Sequence, residues 1–260
     1  MDDNGKQEQR EAVGELPYPP GVAQAWGLNT QKKRGPKPAL TLDAIVESAI
    51  ELADEGGLAA VSMQAVAKRL HFTAMSLYRY VSAKDDLLAL MMDAVFGVPP
   101  SEFREIVHWR EGCQAWADGA LLRYRQHPWV LDIPIAAMPM MPHQLLWLDA
   151  MLGMLRESGL TEAEKLSVAL LVSTYVMNVA RLERDLTSNP QFTSEQSTRQ
   201  YEEQLAELLS PEQYPYLRQA VQNWAFSQEE YDQYEYRFGM DRILDGVAVL
   251  IQQRSGNTAG

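Results

Sequence analysis

SMQAVAKRLHFTAMSLYRY, residues 62 to 80, reads as two short amphipathic helices separated by a tight corner. Ser62 has the side chain of an N-cap, and Met63, Val66, Ala67 and Leu70 follow at the i, i+3, i+4, i+7 spacing of one helical face. His71 and Phe72 interrupt that face. Thr73 then offers a second N-cap ahead of Ala74, Leu77 and Tyr78, with Val81 continuing the stripe. Isolated helices below roughly 12 to 15 residues are marginal in water, so both must pack on neighbours. The outward residues Thr73, Ser76, Arg79 and Tyr80 supply hydroxyls, a guanidinium and a phenol, which suit a DNA major groove and its flanking phosphates. An ordinary bundle corner would carry the same helical pattern.

The neighbours are present on both sides. Thr41 precedes an apolar stripe of Leu42, Ile45, Val46, Ala49, Ile50 and Ala53 that stops at Gly56-Gly57, where glycine can take a left-handed C-terminal cap. Downstream, Ser82 and Asp85 have the spacing of a capping box ahead of LLALMMDAVFG, which predicts a connecting helix over 83–95.

Wording now adds to pattern. Residues 40 to 96, with GLAAVSMQAVAKRL, LYRYV and Lys84-Asp85-Asp86 before LLALM, resemble the N-terminal domain of the tetracycline-repressor (TetR) family. His71 stands where that family commonly has glycine, so the corner asks a histidine for an uncommon positive φ. The resemblance implies operator contacts from Gln64, Thr73, Ala74, Ser76, Tyr78, Arg79 and Tyr80, and a phosphate contact from Lys84. The chemistry agrees: Gln64 suits an adenine edge, the Ala74 methyl a thymine methyl, and Arg79 a guanine or a phosphate. Ser62, Tyr78, Tyr80 and Lys84 would set register without reading sequence. Tyr78 also has a place in the apolar stripe, so a core role competes with a DNA role there.

The chain carries a formal charge of −12, yet residues 32–90 hold eight Lys or Arg against seven Asp or Glu. Such an acidic body disfavours indiscriminate adhesion to nucleic acid, so binding must use a local cationic face. The run from Lys32 to Lys37 could extend that face as an arm on phosphates or in a minor groove, with a solvated linker as the bland alternative. Residues 1–31 are polar, punctuated by LPYPPG and without periodicity, and are expected to be largely disordered, with Trp26 able to dock on the body. No signal-peptide pattern and no uninterrupted apolar run near 18 residues is present, so neither export nor a membrane span is expected. The lone Cys113 fits a reducing cytoplasm and reads as a small buried hydrophobe.

The remainder again has helical period: 102–126, 142–157, 162–186 and 229–253, with residues 187–215 reading as a mobile connection that holds one helix-like patch at 201–209. Helices 162–186 and 229–253 are long and broadly apolar, and occupy the places of a four-helix dimer contact in TetR-like proteins; HPWV, LLWLDAMLGML and FGMDRILDGVAVLI resemble one of that family's C-terminal domain types. Trp109, Trp116, Met138, His143, Trp147, Tyr175, Asn178 and Arg181 combine bulky apolar groups with a few polar ones, the make-up of a drug-sized pocket, although core packing uses the same side chains. His143, Asn178 and Arg181 stand out because such groups are rarely buried without a partner.

No nucleotide loop, nucleophile elbow or metal-ligand cluster is present, so no catalytic residues, metal or cofactor are expected. The expectation is an all-α chain: an acidic tail to residue 38 with its basic arm at 32–37, a helix-turn-helix domain over 39–96, a helical regulatory and dimerisation domain over 97–254, and a short tail over 255–260. It would be a cytoplasmic, homodimeric repressor holding a palindromic double-stranded operator and released by a small, mainly hydrophobic inducer. The rival is a helical ligand- or partner-binding protein without operator-specific DNA binding.

Overall fold

The computed structural model describes residues 18–28, 40–135, 138–189, 195–223 and 228–257. They are helical without a strand, and divide into two compact units. The first takes the described residues up to Ser101 together with 132–150; the second takes 102–131 and the described residues from Met151 onward. The first unit therefore adds 132–150 to the segment expected from the sequence.

In the first unit, α1 (Pro20–Ala25) is followed by α2 (Leu42–Gly56), α3 (Met63–Arg69), α4 (Ala74–Leu77), α5 (Lys84–Phe96) and most of α7 (Pro142–Met154). Of the stripes that helical spacing predicts, Ile45, Ala49, Val66, Leu77, Val81, Leu87 and Met91 are buried, while Leu42, Ile50, Leu70, Met92 and Val95 are half-buried. Three hydroxyls cap their helices, with Thr41, Ser62 and Thr73 accepting from the backbone N–H of Ala44, Ala65 and Ser76. Gly57 ends α2 at φ 72°, a conformation glycine takes without a Cβ penalty.

Two expectations change here. The Ser82/Asp85 capping box does not form: α5 starts at Lys84 with Ala83 at the N-cap and no side-chain cap, because Ser82 lies one residue outside the cap position. Asp85 and Asp86 remain in the first turn, where the helix dipole favours negative charge. Part of the N-terminal tail is ordered as α1, which packs on α5. Gly21 makes that approach possible. Its N–H donates to Asp86 Oδ1 at 3.2 Å, and a Cβ there would lie 2.9 Å from that oxygen and 3.3 Å from the Asp86 Cα. Trp26 does dock, its Nε1–H donating to the Met140 carbonyl at 2.8 Å. Lys37 and the rest of 32–37 lie outside the described residues.

In the second unit, α6 (Trp109–Gln126) and α11 (Gln228–Asn257) both pack on α8 (Glu162–Thr187). The helix expected over 102–126 begins only at Trp109; Ser101–Arg104 is instead a 3-10 turn that buries Phe103. Thr161 and Glu164 form a reciprocal capping box on α8. The connection expected over 187–215 contains α9 (Glu195–Leu208) and, beyond it, α10 (Pro215–Asn223), which pack on each other. Among the described helices, α8 alone matches a membrane span in length and apolar composition, but it also carries buried Lys165, paired with Glu162 at 2.8 Å. Cys113 is fully buried, its thiol pushed up to about 12 by burial, which makes it inert at neutral pH.

Candidate nucleic-acid interface and regulatory unit

The interface is built by two capped helices anchored from behind. Met63, Val66 and Ala67 seat α3, and Leu77 seats α4. His71 makes the corner between them at φ 59°, the only non-glycine residue with positive φ among those described. Arg69 ties α3 to α2, donating to both Glu55 oxygens at 2.8 and 2.7 Å and to Glu51 at 3.0 Å. All three side chains face solvent, so these bonds orient α3 more than they stabilise it. Nothing in the local spacing singled Arg69 out.

With the inner face fixed, the outer face presents the predicted contacts. Ser62, Gln64, Thr73, Arg79 and Lys84 are exposed, Ala74, Ser76 and Tyr80 partly so. Tyr78 is 49% exposed, which resolves its competing readings in favour of the surface. The Thr73 and Ser76 hydroxyls lie 2.9 Å apart and bond each other, so part of their capacity is spent on shaping the start of α4. Gln64 and Arg79 carry the amide and guanidinium that can pair with a base edge.

The eight residues expected to hold a ligand divide between the units. Met138, His143 and Trp147 belong to the first; Trp109, Trp116, Tyr175, Asn178 and Arg181 belong to the second. Met138 is 82% exposed and Asn178 is also exposed, whereas Trp116 and Trp147 are buried. His143, singled out because a buried polar group needs a partner, has one: its Nδ1 is 2.9 Å from Asp93 Oδ2. Its backbone N–H and that of Gln144 both donate to Asp93 Oδ1, at 2.9 and 3.0 Å. Asp93, on α5 and 4% exposed, thus caps the first turn of α7 from 50 residues away. Burial raises its carboxyl above the usual carboxylate value, against the pull of the bonds from Gln144 and His143. Trp147 adds a second tie, donating from Nε1 to the Gly97 carbonyl at 3.0 Å and meeting Phe96 edge to face.

In the second unit Arg181 donates to the Leu131 carbonyl. The Tyr175 hydroxyl donates to the carbonyls of Glu235 and Tyr236, and its ring stacks on Tyr236 with centroids 6.3 Å apart. The Tyr236 hydroxyl in turn donates to Asp118 at 2.6 Å. These polar groups hold α8, α11 and neighbouring segments in register. Among the described residues no His, Cys, Asp and Glu group has a metal-binding arrangement.

Residues 45–91 match the family described as "Bacterial regulatory proteins, tetR family", and residues 104–251 match "Tetracyclin repressor-like, C-terminal domain". The chain is 35% identical over 240 residues to the HTH-type transcriptional repressor DrrR1 of Streptomyces coeruleorubidus, covering 90% of this chain and 87% of that one. It is 33% identical over 157 residues to an HTH-type transcriptional regulator of Saccharopolyspora erythraea, covering 60% and 66%. Apo ActR from Streptomyces coelicolor shares the fold, with a TM-score of 0.67 at 24% identity over 84% of this chain and 99% of that one. ActR in complex with actinorhodin superposes with a TM-score of 0.65 at 25% identity over 80% and 95%.

Proposed function

Because the chain belongs to the TetR family of bacterial regulatory proteins, we propose that this DNA-binding, ligand-responsive repressor grips a palindromic operator as a homodimer. One small reader touches few phosphates, and a two-fold pair reaches half-sites about one helical turn, roughly 34 Å, apart. The long helices α8 and α11 supply the pairing surface. Leu166, Leu170 and Leu182 of α8 and Phe238 and Val249 of α11 all stand exposed on the single chain. The observation that carries the reading is the reader itself, where Gln64 and Lys84 face outward from helices whose apolar sides are buried and Arg79 stands exposed in the turn after α4.

The ligand is a small, mainly hydrophobic molecule; the similar ActR forms a complex with actinorhodin. Of the side chains expected from the sequence, those of the second unit, Trp109, Trp116, Tyr175, Asn178 and Arg181, are the ones proposed to contact it. Release follows from population shift: a ligand that prefers the conformer with badly spaced readers weakens operator binding by its differential affinity for the two states and by no more. Within the first unit, α5 and the first turns of α7, latched through Asp93, carry the change to the reader. Selection of duplexes from random sequence with the purified chain should enrich a palindrome, and actinorhodin, as the first probe, should release it. Absence of any enriched duplex would refute the reading in favour of a helical binding protein without an operator.

A further inference from the structure

The outer face of the reader carries two large apolar side chains that the contacts assigned so far do not use, Phe72 and Met75, and Met75 is much the more exposed. Met75 is 75% exposed, against 38% for Phe72 and 49% for Tyr78. Its position is imposed by the helix. Thr73 caps α4 and bonds the Ser76 hydroxyl, while Leu77, fully buried, fixes the inner side. Met75 is therefore turned away from the core, and Arg79, in the turn that follows α4, is exposed as well. A single exposed apolar residue needs no explanation on an ordinary surface. On a helix that reads DNA it matters, because the C5 methyl of thymine is the one apolar group among the base edges in the major groove. A methionine thioether is long, flexible and polarisable enough to settle on such a methyl.

We propose that Met75 is a specificity-determining residue that packs its thioether end on a thymine C5 methyl in each operator half-site. The inference rests on the reading of the chain as an operator-binding repressor. It divides labour on the reader: Gln64 and Arg79 recognise hydrogen-bonding edges, Thr73 and Ser76 shape the helix start, and Met75 separates thymine from cytosine by its methyl group. The same contact would accept 5-methylcytosine in place of thymine wherever no hydrogen bond reads that base.

The experiment uses the full chain and a duplex recovered by selection from random sequence. Each thymine is replaced in turn by deoxyuridine, which removes the methyl and keeps the base pair. At one thymine per half-site the replacement should weaken wild-type binding roughly fourfold, the worth of one buried methyl-sized group. Met75→Ala should bind uracil and thymine equally at that position and respond normally at the others. Met75→Leu should restore part of the difference, which shows that lost folding is not the cause. If every uracil replacement affects wild type and Met75→Ala alike, Met75 reads no methyl and the inference falls while the operator reading stands. If selection enriches no duplex, that reading falls first and takes the inference with it.

Discussion

Asp93→Ala removes the carboxylate that α5 lends to α7. Pro142 has no N–H, so the first free donors of α7 are the amides of His143 and Gln144, and both end on Asp93 Oδ1 at 2.9 and 3.0 Å. Met141 precedes them and has no side chain able to cap. Stranding two largely dry N–H groups costs about 1 to 3 kcal/mol each; with His143 partly open to solvent, the sum should fall near 3 kcal/mol. Asp93→Asn keeps an oxygen facing both donors and should cost only about 1 kcal/mol. Hydrogen exchange across residues 142–150 reads this locally: about 3 kcal/mol of easier opening speeds exchange by roughly a hundredfold in the Ala variant. The Asn variant should change several-fold, and amides of α2 should not move. Burial raises the Asp93 pKa, so over the interval between its usual and its raised value the native state holds a proton that the unfolded chain has released. Wild type should therefore gain stability relative to Asp93→Asn as pH falls through that interval, and the gap should be level below it. Equal exchange in the Ala and Asn variants, or none faster than wild type, would refute the capping argument.

Arg79→Ala and Gln64→Ala should lose operator discrimination while dimerisation, read by sedimentation, stays intact; loss of folding in both would remove them as DNA contacts. Gly239→Ala places a Cβ 2.1 Å from the Tyr175 hydroxyl oxygen, and the overpacking should cost about 1 to 3 kcal/mol in urea unfolding. The Cβ would also lie 2.6 and 2.8 Å from the Tyr175 ring carbons, so in a Tyr175→Ala background, where oxygen and ring are both gone, the same substitution should cost less, and equal costs would show that the tyrosine simply swings away. Glu164 is held down at about 2 by Arg254 first and by the Thr161 cap second. A lowered carboxylate stabilises the fold above its ordinary value and loses that contribution as the pH falls. Thermal stability should thus decline between about pH 4.5 and 2 in wild type, with a shallower decline in Glu164→Gln, and parallel curves would contradict the assignment.

What could be read from the chain and what could not separate by distance along it. Thr41, Ser62, Thr73 and Thr161 cap backbone donors three residues ahead, so a local window contains the whole interaction, and these helix starts are legible. His71 is legible through the resemblance instead: it stands where the TetR family commonly has glycine, and its φ is positive. Ser82 fails within the capping logic: the spacing to Asp85 is right, but Ala83 takes the extended cap conformation one residue later. The tie between α5 and α7 is of another kind. Asp93 lies 50 and 51 residues from the amides it caps, and its position inside an otherwise apolar stripe says only that something must meet it. The same argument applied to His143 pointed toward a ligand, because the sequence shows the need for a polar partner without showing who supplies it. Trp26 shows both halves at once: its docking was legible from an isolated aromatic in a polar tail, but its acceptor, the Met140 carbonyl, lies 114 residues away. The helices and caps of the DNA-binding domain are compressed into one local stretch and follow from spacing, whereas the contacts expected of it come from the family resemblance. The regulatory apparatus is assembled from remote segments, so a polar residue there has to be tested for a structural partner before it is given to a ligand.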